Sequence, residues 1–186
     1  MKVATTTKLV VLLLLITSPS VVLAKKQYNQ INELIKQINK TLSEHPAQMV
    51  KLPIPTMPGQ PDDCGSRIQS VEYQPASAAL KITENSLCHR SIQTVKIKDL
   101  NVENFNAQFN DLNEYGDKFG MPVAVHCRGL AEGAPCVIGD SWLVNGTKIP
   151  LNSTSLFLTV ENDREILAHL RNAVHQLLNL LNISKS

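Results

Sequence analysis

The chain has 186 residues, 18 of them basic and 16 acidic, with four cysteines and few aromatic side chains. Two of the cations, Lys2 and Lys8, fall in an N-terminal segment that reads as a signal, so the remainder carries 16 charges of each sign and is formally neutral. A neutral chain without a Lys/Arg run lacks the electrostatic footprint of a nucleic-acid binder, and it offers no polybasic patch to a membrane.

In chain order, Leu9 to Ile16 is an unbroken apolar run behind Lys2 and Lys8, closed by Ser18-Pro19-Ser20 and the small residues up to Ala24. The run is shorter than the roughly 20 residues a membrane-spanning helix needs. Residues 1–24 therefore read as a cleaved secretory signal, and no cysteine follows to carry a lipoprotein anchor. The mature chain is expected in a secreted or periplasmic setting, with no transmembrane span. About 162 residues remain, enough for one domain with a real core.

Residues 25–45 read as an N-terminal amphipathic helix, with Ile31, Leu34, Ile35, Ile38 and Leu42 forming one stripe. His45-Pro46 ends it, because the residue before proline is pushed out of the helical region. Residues 46–63, with five prolines, read as an extended strap or linker. From Cys64 the period becomes two: Ile68, Val71 and Tyr73, then Leu80 and Ile82, then Ile92, Val95 and Ile97 mark three short antiparallel strands. Residues 101–115 carry Val102, Phe105, Phe109 and Leu112 at helical intervals among many Asn residues, an irregular helix or an edge strand. MPVAVHCR and PCVIGDSWLVN are the next strands, Asn145-Gly146 signals a hairpin turn, and TSLFLTV is the last strand. Asn162 or Asp163 then caps a long apolar helix through residue 183.

The disulfide-stapled domain thus spans 64–186, and the chain as a whole is α+β: the leading helix, a strongly bent antiparallel sheet, and a long C-terminal helix packed on it. The segments SVEYQPASAALKI, TVKIKDLN and ENDREILAHLRNAVHQLLNLL in that order resemble PH-like domains over residues 66–183, in which a C-terminal helix plugs one end of a bent sheet. The resemblance implies a non-catalytic binding scaffold. The disulfides and the leading helix depart from that intracellular pattern. A cystatin-like helix-plus-sheet is the alternative, and the long terminal helix fits it less well.

Cys64, Cys88, Cys127 and Cys136 are an even set in an exported chain, which implies two disulfides and permits three pairings. In VAVHCRGLAEGAPCVIG, zinc ligation would need His126 and Cys127 on one side, yet adjacent residues of a strand face opposite ways. The Cys88-His89 pair meets the same objection. There is no Cys-x-x-Cys for redox work. A nucleophilic cysteine would need a base, and His169 and His175 lie on a helix with packing to do. The stretch reads most simply as a hairpin locked by Cys127–Cys136, with RGLAEGAP as an exposed tip. Cys64–Cys88 would then tie the first strand to the third.

Asn39, Asn145, Asn152 and Asn182 fit the glycosylation triplet. Asp62-Asp63 and the carboxylates from Glu161 to Glu165 are not spaced for acid–base work. No catalytic, metal or cofactor-binding residue is assigned and no cofactor is expected. The function expected is non-catalytic binding of an unknown partner, with another protein a candidate. An exported Cys/His-dependent or metal-assisted enzyme is the alternative, and a third reading has the 26–44 helix recruiting a partner for assembly.

Overall fold

The computed structural model describes residues 19–50, 63–101, 120–128 and 134–183. The expected element at 101–115 and most of the proline-rich strap lie outside them, as do residues 129–133 of the RGLAEGAP tip. The chain divides into two units, with the boundary between Glu33 and Leu34 inside the first helix. Of the first unit the described residues, 19–33, are helical throughout.

Helix α1 runs from Pro19 to Glu44, earlier in its start than the amphipathic stripe alone suggested. Proline is at home in a first helical turn, where its missing N–H costs no bond. Ile38 and Leu42 of its second half are buried. The helix stops as expected: Thr41 O accepts the His45 N–H, and Pro46 leaves as a β-bridge to Val160.

Among the described residues eight strands follow: β1 (Ala47–Val50), β2 (Asp63–Gln74), β3 (Ala79–Asn85), β4 (His89–Lys96), β5 (Met121–His126), β6 (Val137–Leu143), β7 (Lys148–Ser153) and β8 (Ser155–Val160). Helix α2, Arg164–Ile183, closes the chain. The architecture is α+β, as the sequence implied. One antiparallel sheet has the order β1-β2-β3-β4-β6-β7, and β5 pairs with β8 in a second sheet of two strands.

Two expectations change here. The apolar alternation on β2 has its phase on Gln69 and Val71, both buried, whereas Ile68 is half exposed on the opposite face. With a side-chain period of two, a single residue decides the face. The second change concerns the locked hairpin. Strands β5 and β6 do not pair, since β5 lies beside β8 and β6 lies between β4 and β7. Cys127–Cys136 therefore joins two sheets rather than two strands of one ladder. It does so where β7 turns into β8: Cys127 N–H donates to Thr154 O and Cys136 N–H to Ser153 O.

Buried side chains from both sheets, among them Val71, Leu80, Ile82, Val95, Val123, Val125, Leu156, Leu158 and Val160, make the core. Helix α2 contributes Leu167, Leu170, Val174, Leu177, Leu178 and Leu181 and packs against β5 and the turn at Ile97–Asp99. Asp163 caps it, its Oδ1 accepting the N–H groups of Glu165 and Ile166. Edge strand β7 carries Pro150 and the exposed Lys148, two devices that discourage pairing with another chain.

Two glycines with left-handed backbones separate strain from crowding. Gly120 has φ +86°, and a Cβ there would lie 2.1 Å from Val160 O and 2.7 Å from the Ala47 Cβ. Gly146 has φ +81° in the β6–β7 turn, with nothing within 4 Å. Gly146→Ala should cost about 1 kcal/mol of strain, and Gly120→Ala about 2–5 kcal/mol from strain plus overpacking. Urea unfolding of the two variants checks the order.

Candidate functional site

Extending the inner face of each central strand by two residues reaches a polar cluster. Gln69 continues the face of Val71, Glu84 that of Leu80 and Ile82, and His89 that of Ser91 and Val95. Register sets Gln69 opposite Glu84, and Glu84 opposite Ser91. The Glu84 carboxylate is 2% exposed and accepts three hydrogen bonds. They come from Arg67 Nη2 at 2.6 Å, His89 Nε2 at 2.7 Å and Gln69 Nε2 at 3.0 Å. A carboxylate can only accept when ionised, so His89 carries a proton on Nε2. Burial, the largest influence, pushes the Glu84 pKa upward; the His89 hydrogen bond and the charge and hydrogen bond of Arg67 together outweigh it. The carboxyl is held below its ordinary value of 4.5.

Gln69 also reaches the second sheet. Its Oε1 accepts the Thr159 N–H at 2.7 Å and its Nε2 donates to Phe157 O at 3.3 Å, so the amide pairs with β8 much as a neighbouring strand would. Asn39 of α1 does the same for β2: Oδ1 accepts the Val71 N–H at 2.7 Å, and Nδ2 donates to Val71 O at 2.9 Å. Arg67 adds a contact from Nη1 to Thr159 Oγ1.

Serine 86, His89 and Glu84 are linked in sequence, but the hydroxyl belongs to a turn. Ser86 Oγ accepts the N–H groups of Cys88 and His89, and it lies 3.2 Å from His89 O and 3.4 Å from His89 Nδ1. With both lone pairs engaged it is a poor nucleophile. Glu84, with three donors on its two oxygens, is a poor base. Two buried polar atoms, Arg67 Nε and Ser91 Oγ, have no hydrogen-bond partner among the described residues.

The sequence-predicted residues separate rather than converge. The disulfides are Cys64–Cys88 and Cys127–Cys136, and no described cysteine is free. His89 turns to Glu84 while Cys88 turns to Cys64, and His126 Nδ1 sits 2.7 Å from Ser155 Oγ while Cys127 turns to Cys136. His169 and His175 are exposed on α2, the latter beside Asn179, and His45 meets Glu161 at 2.6 Å. Among the described residues no three His, Cys, Asp or Glu side chains are grouped to hold a metal ion. Of the glycosylation triplets, Asn145 and Asn152 are exposed, whereas the Asn39 amide is engaged with Val71.

What remains open is the outer face of the large sheet, which sequence reading left unassigned. From β2 to β7 the outward positions are largely exposed or half-buried, including Ile68, Glu72, Arg90, Thr94, Ile138, Lys148 and Asn152. One row crosses five strands in register: Ile68, Asn85, Arg90, Trp142, Lys148. Lys148 Nζ lies 5.6 Å from the Trp142 ring centroid and 2.9 Å from Asp140 Oδ2. This face, rather than the interior, is the candidate site. The chain matches no protein-family model, no curated protein and no solved structure.

The direction of the Glu84 shift fixes a pH dependence. A carboxyl with its folded pKa depressed contributes stability that is present above the unfolded value near 4.5 and is lost as pH falls through the folded value. Glu84→Gln, which leaves Arg67 without its buried partner, should cost about 3–5 kcal/mol at pH 7. It should also flatten the loss of melting temperature between pH 5 and pH 2 relative to the native chain, as read by thermal unfolding across that range. Equal acid slopes would refute the assignment.

Proposed function

We propose that this chain is an exported binding protein, working in a secreted or periplasmic setting without turning over a substrate. The observation that carries the reading is how its reactive side chains are spent. Four cysteines are paired, Glu84 is saturated by Arg67, Gln69 and His89, and Ser86 is held by its own turn. These groups support a scaffold, and the scaffold leaves a broad sheet face for contact.

Two features support export. Disulfides persist in oxidising compartments, and the Leu9–Ile16 run behind Lys2 and Lys8 has the form of a signal. No helix among the described residues is long and apolar enough to cross a membrane. The likeness to PH-like domains rests on the β2–β3–β4 succession followed by a closing apolar helix. The pairing of β5 with β8 is a point of difference from a sheet built in simple chain order.

The rival, a Cys/His-dependent or metal-assisted enzyme, needs a free thiol or a bound metal. Intact mass of the protein exported by its own host, before and after reduction, should show a gain of four hydrogens on reduction and no metal. The same preparation should be inactive against a broad panel of hydrolase substrates. Turnover abolished by His89→Ala or His126→Ala, with the fold retained, would overturn the proposal.

A further inference from the structure

We infer that the outer face of the large sheet binds an acidic oligosaccharide, with a sugar ring against Trp142 and its anionic group on Arg90. The inference rests on the binding-protein reading and names the ligand class for it.

The chain has one tryptophan, and the core does not take it. Trp142 points outward from β6, with Arg90 of β4 as its cross-strand partner on one side and Lys148 of β7 on the other. An aromatic ring offers a flat apolar surface with a negative face, which suits the C–H side of a pyranose and draws cations to its flanks. At about 4.8 Å between strands, the row from Ile68 to Lys148 extends about 19 Å, the reach of a short oligosaccharide. Hydrogen-bonding side chains line it: Asn85 within the row, and Thr83 and Asp140 in the next.

Charge specifies the sign of the ligand. Outward positions on this face include Arg90, Lys96, Lys81 and Lys148 against Glu72 and Asp140. Lys81 is taken by Glu72 at 3.3 Å and Lys148 by Asp140 at 2.9 Å. Arg90 and Lys96 are exposed and enter no ion pair among the described residues. A guanidinium next to an aromatic ring is well placed to hold a carboxylate or sulfate in a bidentate pair.

Other occupants fit less well. A protein interface needs a broad apolar centre, yet the outward apolar residues Trp142, Ile92 and Ile138 follow one zigzag line a single residue wide, bordered by Arg90, Asp140, Thr94 and Asn152, and exposed Ile68 is flanked by Asn85. A second copy would present the same excess of cations, Arg90, Lys96, Lys81 and Lys148 against Glu72 and Asp140, and like net charge opposes association.

The single tryptophan is its own probe. Its fluorescence would be followed while the full exported chain is titrated with three hexasaccharides: oligogalacturonate, a heparin-derived sulfated fragment, and neutral maltohexaose. Calorimetry would repeat the titrations on Arg90→Gln and Trp142→Ala. Binding of an acidic hexasaccharide at least tenfold tighter than the neutral one, weakened at least tenfold by Arg90→Gln with the melting temperature unchanged, is expected. Preference between the first two ligands then tells carboxylate from sulfate. Equal binding of the neutral sugar, no binding of either acidic one, or indifference to both substitutions would overturn the inference. The hydrolase panel separates the broader failure: an inactive protein that ignores acidic sugars but retains an acidic protein from its host's exported fraction loses only the ligand class, whereas turnover removes the binding-protein reading itself.

Discussion

The structure depends on a buried side-chain amide standing where a strand would otherwise pair. Among the described residues the two sheets share no continuous backbone ladder. They meet through Gln69, whose amide takes the Thr159 N–H and approaches Phe157 O, together with isolated bridges at Pro46–Val160 and Leu100–Cys127. A buried amide so placed has to be fully paired, because an unmet polar group in the interior costs about 1–3 kcal/mol. The second Gln69 Nε2 contact goes to Glu84, and Glu84 in turn needs Arg67 and His89. One requirement thus propagates through four residues on three strands and fixes the polar end of the core.

The disulfides sit at the ends of this arrangement. Cys64–Cys88 ties β2 to the β3–β4 turn, next to the loop that orients His89. Cys127–Cys136 holds the corner at which the chain leaves the large sheet for the small one. Each closes a loop and restricts the unfolded chain, a contribution of about 2–4 kcal/mol in the chain-entropy account. Polar pairing at one place and covalent closure at two others brace the large sheet, whose outward row from Ile68 to Lys148 is exposed or half-buried throughout.

Much of the fold was legible from periodicity. Helix α2, its Asp163 cap, the stop of α1 at His45-Pro46 and the Asn145-Gly146 turn all follow from local chemistry, and the structure has them where the sequence places them. The hairpin between β5 and β6 was misread because neighbours in sequence usually pair, and nothing local reports that β8 competes for β5. The Glu84 cluster was missed for a different reason. Periodicity marks an inner face by its apolar residues, so the polar residues in phase with Leu80 and Ile82 on one strand and Val71 on another pass for surface. A buried carboxylate leaves a signal, a period-two position with the wrong polarity, but its partners come from other strands and only register brings them together. The outer face had no such pattern, since Ile68 and Trp142 share a row only through four successive strand pairings.

The Asn39 amide has a consequence for how the protein ages. It meets the Val71 peptide with one donor and one acceptor, a match that only an amide can make. Hydrolysis of that side chain to Asp removes the donor and turns a carboxylate oxygen toward the Val71 carbonyl, two acceptors facing each other. A change of about one mass unit at a single helical residue would then loosen the edge of β2 and free its peptide groups for a foreign strand. The durability of the fold is in this sense tied to the chemical durability of one side-chain amide, quite apart from the stability of its core.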